Sequence, residues 1–283
     1  MRLRPRRSLP RRISSVGERV PRIEHRLPLG PRHPHPTRPM RTQGLRRIIS
    51  FNWPKFVAAV AFIIPAGLIV RTKGAGSVLG GLALTGAILC TYFVIASLTV
   101  SWWVYDRSGL HRWTWLQPLL PVGTTRWALV HAGFDEGGPL LPEVLGSPAT
   151  VVDLSPGLRH TSPSLRRARR RHPASSTVIA DGPRLPIADE SLDAVLLVFA
   201  AHEVRDRSQR EALFEQLRRT LRGDGRVILV EHLRDATNIA AFGAGALHFQ
   251  TRREWRRVAK LAGFAAVREI RETRFVRGIA PCL

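Results

Sequence analysis

Ala194-Val195-Leu196-Leu197-Val198-Phe199-Ala200 is a run of seven residues without one polar side chain. A helix on the surface of a domain would show polar residues every three or four positions, and a half-exposed strand would alternate. An unbroken apolar run of this length reads instead as a central parallel strand covered on both faces. Residues 226–231 are a second run of the same kind, and residues 127–132, 149–154 and 177–180 read as three further strands. Helical segments lie between them. Ser208 with Glu211 has the spacing of a capping box, followed by Leu213, Phe214, Leu217 and Leu221 on one face. Thr251 with Glu254 opens another helix, with Trp255, Val258, Ala259 and Ala262 on its apolar face and Gly263 placed to end it. Residues 266–270 and 275–280 make a final strand pair. Strands alternating with helices predict a parallel sheet with helices on its faces.

Upstream of residue 121 the composition changes twice. Residues 1–48 hold fourteen arginines against Glu18 and Glu24, and eight prolines break every helix that could form. Such a leader cannot bury enough apolar surface to offset its ordering entropy, so disorder is expected. Met40 offers an alternative start. Residues 56–70 then run fifteen positions without a charge, and residues 74–105 run thirty-two. About 20 apolar residues cross a bilayer, so residues 49–105 are expected to form a transmembrane helical hairpin, with its turn around Arg71 and Lys73. The flanks carry Arg41, Arg46, Arg47, Arg107 and Arg112, which places both termini and the downstream domain on the cytoplasmic side. Trp102, Trp103, Tyr105, Trp113 and Trp115 suggest an interfacial aromatic belt. Residues 106–120 read as a juxtamembrane linker and residues 121–283 as the soluble domain.

The chain carries a formal net charge of +23, which by itself would suit an anionic partner. Yet lysine occurs only at 55, 73 and 260, and about half the excess lies in the leader. Nucleic acid is therefore not the expected partner, although the leader and Arg166 to Arg171 keep that option open. Cys90 and Cys282 offer no disulfide framework.

Three segments carry a family resemblance. Leu185-Pro186-Ile187-Ala188-Asp189-Glu190-Ser191-Leu192-Asp193-Ala194-Val195 resembles the segment leading into the fourth strand of small-molecule class I S-adenosylmethionine-dependent methyltransferases of the type 11 kind. Arg218-Arg219-Thr220-Leu221-Arg222-Gly223-Asp224-Gly225-Arg226-Val227-Ile228-Leu229 is similar to their segment leading into the fifth, and Val151-Val152-Asp153-Leu154-Ser155-Pro156 to the end of their second. The implied fold is α/β: a Rossmann-like sheet, mostly parallel with an antiparallel last strand, preceded by the two transmembrane helices. The implied cofactor is S-adenosyl-L-methionine, and the implied reaction is methyl transfer to a small or lipid-like acceptor.

The resemblance also assigns residues. Asp153, twenty positions after Gly133, stands where the family binds the ribose hydroxyls, and Asp181 stands where it meets the adenine amino group. The glycine loop after the first strand corresponds to His131-Ala132-Gly133-Phe134-Asp135-Glu136-Gly137, in which His131 replaces the leading acid and Asp135 the middle glycine. His131, Gly133, Asp135, Gly137, Asp153, Asp181 and Ala201 form the expected cofactor set. Two clusters follow strands four and five, Ala201-His202-Glu203-Val204-Arg205-Asp206 and Glu231-His232-Leu233-Arg234-Asp235, each with a histidine beside an acid. His202 and Glu203, then His232, are the expected catalytic residues, since imidazole titrates near neutral pH. The alternative for both clusters is an ion-pair network among Arg205, Asp206, Arg234 and Asp235. No metal is expected, because adjacent residues on a strand end point apart. The altered glycine loop leaves a second reading open, a degenerate methyltransferase fold serving as a membrane scaffold or ligand sensor.

Overall fold

The structure is a computed structural model that describes residues 42–137, 140–172, 177–180 and 184–283. Most of the leader and Asp181 lie outside the described residues. In chain order the elements are α1 (Gln43–Lys73), α2 (Val78–Trp102), β1 (Trp127–His131), α3 (Leu140–Leu145), β2 (Thr150–Asp153), α4 (Pro163–Arg171), β3 (Val178–Ile179), β4 (Leu192–Val198), α5 (Arg207–Thr220), β5 (Leu221–His232), α6 (Ala236–Phe242), α7 (Arg252–Leu261), β6 (Ala266–Arg271) and β7 (Val276–Cys282). The seven strands form one sheet in the order β3-β2-β1-β4-β5-β7-β6. β1 to β5 pair in parallel, and β7 runs antiparallel to both β5 and β6. The strand order reverses between β1 and β4, so the carboxyl ends of these strands border the crevice where such sheets bind ligands.

β4 behaves as its apolar run requires. Val195 and Leu197 face one side with Leu213, Phe214 and Leu217 of α5 and Trp255 and Val258 of α7. Ala194, Leu196 and Val198 face the other, and here the cover is unexpected. Residues 106–120, anticipated as a linker, fold into short 3-10 turns (Leu110–Arg112 and Thr114–Leu119) whose Leu110, Trp113, Leu116 and Leu119 are at most 1% exposed against Trp127, Leu196 and Ile228. Burying each such side chain stabilises the fold by about 1.5–3 kcal/mol. Trp113 is therefore a core residue and not part of an aromatic belt, whereas Trp102 and Trp103 stay exposed.

Helix caps follow side-chain chemistry. Thr251 accepts from the Glu254 N–H as anticipated, and Gly263 ends α7 with φ +87°. At α5 the cap is Asp206, two residues before the expected Ser208. Its carboxylate accepts the Gln209 N–H, and the Ser208 hydroxyl donates to that same carboxylate. Asp235 caps α6 in the same way. These two acids thus cap helices, and the suggested network with Arg205 and Arg234 does not form.

α1 and α2 pair as a hairpin whose turn, residues 74–77, follows Arg71 and Lys73 instead of containing them. α1 begins at Gln43, earlier than expected, and continues through Pro54 and Pro65. Its first turn is capped from a distance: the Asp106 carboxylate accepts the N–H groups of Gly44 (2.7 Å) and Leu45 (2.8 Å). That contact ties the start of the hairpin to its end. The base of the hairpin also meets the sheet domain. Arg167 of α4 donates to the Phe51 carbonyl at 2.6 Å, and Phe51 packs edge-on against Phe134 and His172. Phe93 of α2 lies against Gly243, where φ is +53° and an added Cβ would stand 3.0 Å from its ring.

Candidate active site

The carboxyl ends of β1 and β2 form one half of the rim. His131 and Asp153 are register partners, with Nδ1 and Oδ1 3.7 Å apart. The chain then turns at Gly133, whose φ of +101° only glycine adopts without strain and whose missing Cβ would lie 2.9 Å from Ser155. The Gly133 N–H donates to His131 Nδ1 at 3.1 Å, which leaves the ring proton on Nε2. Burial lowers the pKa of His131 despite Asp153 beside it, so the ring is neutral. Asp153 is 6% exposed, and its Oδ1 accepts the Ser155 N–H at 2.8 Å. Oδ2 faces Arg169 at 3.8 Å. His131 Nε2 and Ser155 Oγ are buried without a hydrogen-bond partner among the described residues. A buried donor and hydroxyl without partners, beside a carboxylate and a turn too tight for a Cβ, suit a nucleoside with a vicinal diol. Gly137 differs from expectation: its added Cβ would meet Leu141 of α3 at 2.5 Å, so smallness there serves helix packing.

The ends of β4 and β5 form the other half. Phe199 takes φ +48°, an uncommon conformation for a bulky residue, and stacks on His232 with centroids 4.9 Å apart. The chain continues into a single 3-10 turn, Ala201–Glu203, all buried. His202 pairs with the acid of the other cluster and not with its neighbour alone: Nδ1 lies 2.6 Å from Glu231 Oε2, and its backbone N–H donates to Glu231 Oε1 at 3.2 Å. Burial opposes a charge on His202, but Glu231 and then Glu203 outweigh it and hold its pKa at about 9. Glu203 Oε1 accepts from Ser162 at 3.1 Å and lies 3.8 Å from His202 Nε2. Glu203 Oε2 is buried with no hydrogen bond among the described residues, the Arg205 guanidinium standing 3.6 Å away. Burial, together with the charges of His202 and Arg205, lowers the pKa of His248 to about 3, so it stands neutral beside them.

His232 departs from the role expected of it. Its Nδ1 lies 2.9 Å from the Phe275 carbonyl and its Nε2 3.1 Å from the Tyr105 hydroxyl. Both nitrogens are engaged, and burial lowers the pKa to about 4. The ring ties the turn that follows α2 to the sheet, and both of its nitrogens are occupied. His160 is exposed.

Sequence reasoning missed two groups. Glu136, in the glycine loop, faces His202 and Glu231, and desolvation raises its carboxyl to about 7. Tyr105, read as an interfacial aromatic, reaches His232. Glu136 lies in the glycine loop at a position to which the resemblance assigns no role, and Tyr105 lies outside the resembling segments.

One family profile, described as a methyltransferase domain, matches residues 137–229. Residues 137–229 form a methyltransferase domain. Among solved structures, a methyltransferase from Aquifex aeolicus is similar at 16% identity, covering 62% of this chain and 93% of its own, with a TM-score of 0.46. The pyocyanin biosynthetic protein PhzM is similar at 17% identity over 84% of this chain and 72% of its own, with a TM-score of 0.49. A methyltransferase from Mesorhizobium loti matches at 18% identity over 62% and 99%, with a TM-score of 0.40. A search of curated proteins returns no match.

Proposed function

We propose that the chain is a membrane-anchored methyltransferase acting on a small or lipid-like acceptor at the cytoplasmic face, with domain limits near residues 49, 106 and 121. The observation that carries this reading is that the base of the hairpin and the reactive rim coincide. Tyr105 bonds His232, Phe51 packs on the glycine loop through Phe134, and Phe93 lies against Gly243. The apolar flanks support a bilayer around the rest of the hairpin. Val60, Ile64, Leu68, Leu82 and Ile88 are each more than half exposed, and only 6% of either apolar window is buried inside the molecule. An acceptor dissolved in the membrane would meet the rim at raised effective concentration.

Bound in the crevice, S-adenosylmethionine supplies an electrophilic methyl group on its sulfonium. Asp153 would accept from the ribose hydroxyls with His131 and Ser155 completing that side, and Asp181 is the residue that the resemblance assigns to the adenine amino group. Gly133 and Ala201 allow close approach of the backbone, Gly137 lets the following helix pack, and Asp135 attracts the methionyl ammonium. His202 and Glu203 face the acceptor and align it, which is most of what a direct displacement requires. Glu136, with a pKa of about 7, is suited to take the acceptor's proton. His232 holds Tyr105 and thereby the hairpin.

Calorimetry on the full chain in detergent tests the reading. Heat of binding with both S-adenosylmethionine and its demethylated product is expected. No heat with either would favour the second reading, a scaffold or sensor, which the aspartate in place of the middle glycine suggests.

A further inference from the structure

His202, Glu203 and His248 each offer one ligand atom, and the three atoms lie within 4.8 Å of one another. A metal was not expected here, because adjacent residues on a strand end diverge. The chain has left the strand by this point. On the 3-10 turn Ala201–Glu203 the two side chains converge, with His202 Nε2 and Glu203 Oε1 3.8 Å apart. His248 arrives from a different part of the chain, at the end of the 3-10 stretch Gly243–His248, and its ring centroid lies 5.3 Å from that of His202.

Three further features point to a cation. Glu231 holds Nδ1 of His202 at 2.6 Å, which fixes the ring and aims Nε2 at the cluster. Metal-bound histidines are oriented by a carboxylate in this way. Glu203 is 93% buried, yet its Oε2 has no hydrogen bond among the described residues. Ser162 meanwhile holds Oε1 in place. Three carboxylates, Glu136, Glu203 and Glu231, surround one imidazole. Of the other cations facing them, Arg205 forms an ion pair with Oε2 at 3.6 Å without hydrogen-bonding it, and Lys55 also faces Glu203.

We infer that His202, Glu203 and His248 hold a divalent transition-metal ion whose open coordination positions face the acceptor, with Glu231 as the positioning residue behind His202. Two imidazoles and one carboxylate with open positions suit zinc, manganese, iron or cobalt in preference to calcium or magnesium. The direction of the open positions rests on the acceptor reading above. The ligand set does not.

The test uses the untagged, metal-stripped full chain in detergent, titrated with Co2+ and followed by visible absorption, with Zn2+ calorimetry in parallel. The expected result is one ion per chain with the spectrum of mixed nitrogen and oxygen ligands, lost in His248→Ala and in Glu203→Gln. Glu231→Gln should weaken binding by about 10–100-fold while keeping the same spectrum. His160→Ala, an exposed position, should bind as the parent does. Histidines at 25, 33 and 35 of the leader could also take metal, so binding that survives His248→Ala and Glu203→Gln overturns the inference, as does no binding at all. Thermal melting and donor calorimetry on each variant show whether it is folded. Donor heat without metal binding sinks this inference and leaves the methyltransferase reading intact. Metal binding without donor heat does the reverse.

Discussion

The two halves of the rim are built on opposite electrostatic principles. At β1 and β2 a neutral histidine, a backbone turn and one carboxylate leave hydrogen-bonding groups without partners, a surface suited to a polar uncharged ligand. At β4 and β5 three carboxylates crowd one charged imidazole, a surface suited to cations and proton traffic. One sheet supports both because parallel strands end in different loops, and the loops, not the strands, set local charge. Under the function proposed above, the first half would hold the donor and the second would handle the acceptor.

The strongest way to break that comparison is to remove what both halves share. Trp113→Ala deletes the largest fully buried side chain covering the second face of the sheet, and about 3–5 kcal/mol of stability should go with it. Chemical denaturation would read the loss, and donor and metal binding should fall together. Asp153→Asn acts on one half alone. With Asp153 in its proposed role as acceptor of the ribose hydroxyls, losing the charge should weaken donor affinity by about 10–100-fold, since hydrogen bonds to charged groups contribute roughly 1.5–3 kcal/mol. Cobalt binding should be unchanged, and equal damage to both would show that the halves are not separate.

Gly243→Ala probes the contact between hairpin and domain. A side chain at φ +53°, 3.0 Å from Phe93, should cost about 1–2 kcal/mol, read as a lower thermal midpoint in detergent. The smallest effect is expected far from either half. Glu254 is held at about 2, below its ordinary 4.5, first by its hydrogen bond to Arg257 and also by Arg210. A carboxyl depressed in the folded state stabilises above its unfolded pKa, and that contribution is lost as pH falls from about 4.5 toward 2. Glu254→Gln should flatten the melting-temperature profile in this acid window and nowhere else. Arg210 is buried, but Glu254 and Arg257 are only partly so, and the change is about 1 kcal/mol.

Much of the fold was legible. β4 and β5 announced themselves because a strand covered on both faces has no polar position to spare, and Thr251 because a hydroxyl before a helix with glutamate three residues on satisfies the first N–H groups. Ser208 misled for the same reason. Its spacing to Glu211 met the capping rule, but Asp206, a stronger acceptor, took the position and drew the serine hydroxyl to itself. Residues 106–120 misled because tryptophans beside an apolar run read as an interface, whereas Trp113 turns inward against Trp127.

On the site, Asp153 could be placed at the end of β2, and His202 and Glu203 could be placed just past the end of β4. Their partners could not. Glu231 stands beside His232 in the chain but serves His202, because the β4–β5 register brings Val198 opposite Val230 and so sets the two following loops side by side.

Local pattern decided the elements of this protein, since apolar periodicity, caps and run length act within a few residues: five parallel strands, the hairpin and the acid at the end of β2 follow from the chain alone. The pairing of His202 with Glu231, the arrival of His248, the engagement of both His232 nitrogens and the second cover of the sheet were decided only by tertiary structure. Each depends on segments about 10 to 130 residues apart being brought within hydrogen-bond or van der Waals distance. Strand register sets those meetings, and no short window of sequence encodes it.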